Sequence, residues 1–131
     1  MNEDSRDIRI LEHITDYCDQ ISEAVECFGA DLSIFLNDRV YRNAVSLCIL
    51  QIGELVSILT EEFEQNYSDI PWREIKLMRN IVAHRYGTID YTITWDVVQN
   101  DIPKLKAFCS TFFSESLRLD IPTSGDAQDP V

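Results

Sequence analysis

Four side chains able to move a proton or hold a phosphate crowd into one short stretch. Arg79, Asn80, His84 and Tyr86 stand in the frame R-x-x-x-x-H-x-Y. His84 is one of two histidines in 131 residues; the other, His13, is remote in sequence. An imidazole with an ordinary pKa of about 6.5 can take or give a proton at neutral pH. A guanidinium stays charged and can bind two phosphate oxygens at once. These are the groups that cleavage of an RNA phosphodiester requires. One must take the 2′-hydroxyl proton, one must protonate the leaving oxygen, and a cation must steady the charge on the phosphorus oxygens. No metal is needed for this in principle. The surroundings agree: over residues 70–91, Arg73, Lys76, Arg79 and Arg85 face only Glu74 and Asp90. The whole chain carries 23 acidic and 11 basic residues, for a net charge of −12. A cationic island in an anionic protein points to an anionic ligand.

The element that must position these groups is predicted as a helix over 70–86. Ser68 or Asp69 can cap its start, Pro71 suits its first turn, and Gly87 lies just past its end. Ile75, Met78 and Val82 form its apolar stripe, with Arg73, Lys76, Asn80 and His84 nearly opposite. Arg79 and His84 lie five residues apart, so a regular helix points them roughly 140° away from each other. Either the helix distorts near His84, or a second copy of the chain completes the site. Two-fold pairing would bring two imidazoles and two guanidinium groups into one cleft.

Each residue also has an ordinary reading. An arginine and a histidine at this spacing occur often by chance. Tyr86 alone would be a core or rim tyrosine. Arg85 can contact phosphate or simply meet solvent, and His13 reads as a surface histidine. Glu54 is either solvated or the partner of a nearby arginine, and Glu61, Glu62 and Glu64 read as a solvated helix tail. No G-x-x-x-x-G-K-[ST] loop, G-x-G-x-x-G turn, H-E-x-x-H helix or C-x-x-C pair occurs. That removes the common nucleotide, hydride-transfer and zinc motifs. Neither a metal nor a cofactor is expected.

The rest of the chain reads as helices. Leu11, Ile14, Cys18, Ile21, Val25 and Phe28 alternate steps of three and four along a helix over 5–28, ended by Gly29. A short connector over 30–38 should turn Phe35 and Leu36 inward, and Asn37 or Asp38 can cap a second long helix over 39–64. In that helix Val45, Cys48, Ile52, Leu55 and Leu59 form one stripe, widened by Ala44, Leu47 and Leu50. So broad an apolar face implies burial on more than one side, in a bundle, at a subunit interface, or both. Gly53 within it suits close approach of another backbone. Asp90 can cap a helix over 91–100 with Ile93, Val97 and Trp95 inward, and Ile102-Pro103 should break it before a last helix bearing Leu105, Phe108, Cys109, Phe112 and Leu117. Few prolines and glycines, and no strand alternation, favour an all-α antiparallel bundle of four to five helices. One domain over 1–119 and a disordered tail over 120–131 are expected. Cys18, Cys27, Cys48 and Cys109 read as buried free thiols, with a disulfide or zinc site as the minor alternative. No apolar run approaches the roughly 20 residues of a membrane span. The N-terminus is polar and has no hydrophobic signal region, which places the protein in the cytoplasm. Its acidity argues against a broad nucleic-acid coat.

Taken together, Ile52-Gly53-Glu54, Ile70-Pro71-Trp72, Arg79-Asn80 with His84 and Tyr86, and Ile89-Asp90-Tyr91 with Trp95 resemble the HepT-like branch of the HEPN superfamily from about residue 8 to 117. That resemblance implies an all-α, HEPN-like bundle that dimerises and places the R-x-x-x-x-H motif of both chains at the interface. It implies a metal-independent endoribonuclease acting as the toxin of a toxin–antitoxin pair. Arg79 and His84 would be catalytic, and Asn80, Arg73, Lys76 and Arg85 would meet the RNA. It also implies an MNT-type nucleotidyltransferase antitoxin that transfers AMP from ATP to Tyr86. The alternative is a catalytically silent helical module that binds such a nucleotidyltransferase.

Overall fold

The computed structural model describes residues 5–82 and 89–120, with only the backbone at 81, 82 and 116–120. Every regular element among them is helical. The elements are α1 (Ser5–Phe28), α2 (Leu32–Asn37), α3 (Arg39–Val56), α4 (Glu61–Asn66), α5 (Trp72–Leu77), α6 (Arg79–Val82), α7 (Tyr91–Asp96) and α8 (Ile102–Asp120), with a π turn over Val97–Asp101 joining the last two. Four rods result. At one end Tyr41 of α3 donates its hydroxyl to the carbonyl of Gly29, just past α1. At the other, Asp7 of α1 binds Thr60, just past α3. Those two ties make α1 and α3 antiparallel. Lys106 of α8 reaches Ser22 and Asp19 of α1, while Phe112 meets Phe63 near the Asp7 end, so α8 also runs antiparallel to α1. The α5–α6 rod returns along α3 from Glu64 towards Gly53. The expected antiparallel bundle is the fold observed.

The first helix has the bounds its periodicity predicts, and Gly29 ends it with φ 121°, a conformation open to glycine and strained for other residues. Asp38 and Asp90 cap α3 and α7 as expected, and Asp31 caps α2. Two aromatic clusters close the bundle ends. Phe28, Phe35, Tyr41, Tyr91 and Trp95 meet at one. Phe63, Tyr67, Trp72, Phe108 and Phe112 meet at the other, where the Trp72 indole donates to the Tyr67 carbonyl.

Several local expectations change. The helix expected over 39–64 is two helices: α3 stops at Val56, and Thr60 starts α4 by accepting from the Phe63 amide. Thr60 can do so because buried Asp7 fixes it, accepting from its amide at 2.9 Å and its hydroxyl at 2.6 Å. The helix expected over 70–86 is interrupted at Met78, whose amide bonds to Ile75 three residues back instead of four. Pro71, not Ser68 or Asp69, precedes α5, and no side chain caps it. Pro103 does not break its helix. In an α-helix its ring would collide with the carbonyl four residues back, and here the wider π turn absorbs that strain, the Ile102 amide reaching Val97. Leu36 and Ile93 are exposed, because Phe35 and Thr94 take the inward positions. Ala44 and Leu47 are also exposed, so the broad apolar face of α3 has a core side and an uncovered side.

Cys18, Cys48 and Cys109 are buried free thiols, as expected, but Cys27 is exposed. Burial pushes the Cys48 and Cys109 thiols up to about 11, and pushes Cys18 further still, with Cys109 and Asp19 adding to the effect. Residues 121–131, nearly all of the expected tail, lie outside the described residues.

Candidate functional site

Arg79 opens α6 directly over Gly53 of α3. A methyl group added at Gly53 would stand 2.9 Å from Arg79 Cβ and 3.1 Å from its backbone nitrogen, so only glycine lets the two backbones come this close. The close approach expected of Gly53 is therefore made, and it is made to the motif arginine. The next residue of α3, Glu54, then pairs with Arg79 across the crossing, Nη1 to Oε2 at 3.1 Å. Both side chains remain open to solvent, at 42% and 52% exposure. Of the two readings of Glu54, the arginine partner is the one found.

One turn earlier, Lys76 pairs with Glu64 of α4 at 3.4 Å. Arg73 is exposed on α5 and makes no ion pair among the described residues, and Asn80 is exposed beside Arg79. His84, Arg85 and Tyr86 lie outside the described residues. The structure thus gathers Arg73, Lys76, Arg79 and Asn80 onto one rod. It also corrects the picture of a bare cationic island. Counting charges along residues 70–91 misses Glu54 and Glu64, which the fold brings in from α3 and α4 to offset two of the cations. Glu64, read as part of a solvated tail, is the residue that reading missed. Only the Gly53-Glu54 juxtaposition gave a signal for the other.

Among the described residues, Arg79, Glu54, Arg73 and Asn80 lie on an open surface. A cavity of about 500 Å³ lies between α1 and the α7–α8 rod, and Arg79 does not line it. An exposed seam leads to the site instead. Val40, Ala44, Leu47, Gln51 and Glu54 recur at helical spacing along α3, within an arc of roughly 80°. Val40 is 63% and Leu47 55% exposed. Among the described residues, no group of three or more potential metal ligands comes together. No helix there is long and apolar enough to cross a membrane.

Residues 11–112 match the model of the HepT-like ribonuclease family. The chain belongs to that family, and its enzyme class is ribonuclease. It is 34% identical over 96 residues to "Probable ribonuclease HepT" of Thermococcus cleftensis, covering 70% of this chain and 87% of that one. It is 35% identical over 96 residues to "Putative RNase TTE0752" of Caldanaerobacter subterraneus subsp. tengcongensis, covering 73% and 84%. A third relative, "Putative RNase MJ1380" of Methanocaldococcus jannaschii, is 36% identical over 76 residues, covering 58% and 70%. No solved structure matches the chain.

Proposed function

We propose that this chain is the toxin of a toxin–antitoxin pair. It is a metal-independent endoribonuclease that works in the cytoplasm as a homodimer and is silenced by AMP transfer to Tyr86. The observation that carries this reading is the placement of Arg79. It is fixed in register by Gly53, open to solvent, and set at the end of an uncovered apolar seam on α3. A second copy laid along Val40, Ala44 and Leu47 would bury that seam and bring a second motif beside the first.

In that cleft Arg79 holds the scissile phosphate. The ion pair with Glu54 uses one Nη1–H bond, and a guanidinium has five N–H donors in a planar fork. The remaining donors suit two phosphate oxygens. His84 acts as general acid or base, with the imidazole of the second subunit taking the complementary proton. Asn80 orients His84 or binds phosphate, and Arg73, Lys76 and Arg85 follow the RNA backbone. AMP on Tyr86 would add negative charge and bulk where RNA phosphate must bind, and would compete for Arg79 or Arg85. The antitoxin is an MNT-type nucleotidyltransferase.

The second reading, a silent module that docks a nucleotidyltransferase, is favoured by the carboxylates on Lys76 and Arg79 and by the net charge of −12. One experiment separates the two. Wild type and His84→Ala are induced in cells lacking any partner. Growth arrest with RNA cleavage, lost only in the variant, supports the enzyme; no effect from either supports the module.

A further inference from the structure

We propose that Glu54 is a positioning residue for Arg79, and that its carboxylate competes with phosphate for the guanidinium. The ion pair would then set how tightly the site grips an anionic backbone. This rests on Arg79 being the phosphate clamp and goes beyond it by assigning a residue outside the motif.

Three features of the pair support the assignment. The first is register. Glu54 follows Gly53, where α3 places no side chain of its own between its backbone and α6. The carboxylate is therefore delivered to Arg79 by a backbone contact one residue away, not by two long arms meeting at random. The Lys76–Glu64 pair lacks this support: it is longer, at 3.4 Å, and springs from the six-residue α4. The second feature is valence. Among the described residues Glu54 engages Arg79 through Nη1 alone, so this pair holds the guanidinium at one corner and does not itself occupy the other donors. The third is exposure. With both side chains about half open, the pair is screened and weak, and a phosphate offering two charge-assisted contacts can displace or share it. A buried pair would lock the arginine away. An exposed pair in fixed register presents it and yields it.

Removing the charge while keeping the shape should therefore have two effects of opposite kind. Glu54→Gln should bind an RNA-like polyanion more tightly, because the competing charge is gone. It should also turn over more slowly, because Arg79 is no longer held in place. A fall in KM together with a fall in kcat marks lost ground-state competition and lost orientation. A purely structural defect would lower the active fraction and leave KM unchanged.

The test is a fluorescence-anisotropy titration with a labelled 2′-O-methyl RNA oligonucleotide, which cannot be cleaved through its 2′ position. Wild type, Glu54→Gln, Glu54→Asp, Arg79→Ala and the Glu54→Gln/Arg79→Ala pair are compared, with helical circular dichroism confirming each fold. Glu54→Gln should tighten binding about two- to fivefold, the range an exposed pair can supply. Glu54→Asp should not tighten it, and the gain should vanish without Arg79. Unchanged or weaker binding by Glu54→Gln overturns the proposal, as does an equal gain in the Arg79→Ala background, which would mean only diffuse charge. If wild type cleaves unmodified RNA and Glu54→Gln behaves identically, the proposal alone fails. If wild type neither binds nor cleaves RNA, the phosphate-clamp reading fails and carries this one with it.

Discussion

Replacing Gly53 by alanine perturbs the crossing that places Arg79 and leaves every charge in the chain intact. The new Cβ would lie 2.9 Å from Arg79 Cβ, 3.1 Å from its backbone nitrogen and 3.4 Å from the Lys76 carbonyl oxygen. Relaxed carbon–carbon contacts lie at about 3.5–4.0 Å, so the two backbones must part by roughly 0.6–1.1 Å. The nearest atoms belong to backbone or to a Cβ, and no flexible tip can swing aside. Two effects oppose one another in stability. Alanine is the better helix former by about 1 kcal/mol, and overpacking costs about 1–3 kcal/mol. The net loss should be about 0–2 kcal/mol, a fall in Tm of at most about 10 °C for a domain of this size. Catalysis should suffer far more, because a misplacement of about 1 Å can cost on the order of a hundredfold in rate. Gly53→Ala should thus remain helical and cooperatively folded while RNA cleavage drops about ten- to a hundredfold. The assays are thermal melts by circular dichroism and cleavage of a fluorophore–quencher RNA. A variant about 1 kcal/mol more stable than wild type, with undiminished cleavage, would refute the reasoning: the helices would then not cross at this glycine.

Other consequences follow from the packing. Asp7→Ala removes a buried carboxylate that accepts twice from Thr60, and should cost about 3 kcal/mol, read from urea unfolding; a loss under 1 kcal/mol would show that the tie is not needed. Leu47→Glu puts a charge in the exposed seam and should turn a dimer into a folded monomer without ribonuclease activity, measured by sedimentation; a dimer that persists would move the interface elsewhere. Cys27 alone should react with a thiol reagent in the native state, since the other three cysteines are buried. The thiols of Cys48 and Cys109, pushed up to about 11 from 9.0, stay protonated in the folded chain at a pH where the unfolded chain ionises. Their contribution is fully present below pH 9 and is lost as pH rises towards about 11. The urea midpoint should fall across that window, less steeply in Cys48→Ala/Cys109→Ala; equal slopes would contradict the assignment.

What the sequence disclosed, and what it hid, divides by the range of the interaction. The bounds of α1, the Asp38 and Asp90 caps and the buried stripe of Val45, Cys48 and Ile52 depend on residues within a turn or two, and all were readable. Gly53 was readable as a close approach because an interior helix glycine has few other uses. The split between α3 and α4 was not, because the cap at Thr60 is held by Asp7, 53 residues away. The same holds for charge: the partners of Lys76 and Arg79 come from other helices, so a count along the motif overstated its positive field. Leu47 and Ala44 show a different limit. An apolar residue on a helix reads alike whether it faces the core or a face left uncovered. Arg79 and Asn80 stood out as site candidates through residue type, spacing and the family resemblance together, and the placement of Arg79 over Gly53 is what the fold adds.

The central claim is that this chain cuts RNA with its own side chains, Arg79 foremost. The most direct measurement is cleavage of a defined RNA by the purified protein in excess EDTA, with Arg79→Ala and His84→Ala purified alongside. Wild type should cut the RNA internally, and both variants should lose the activity. RNA left intact by wild type, or cut equally by all three proteins, would contradict the claim.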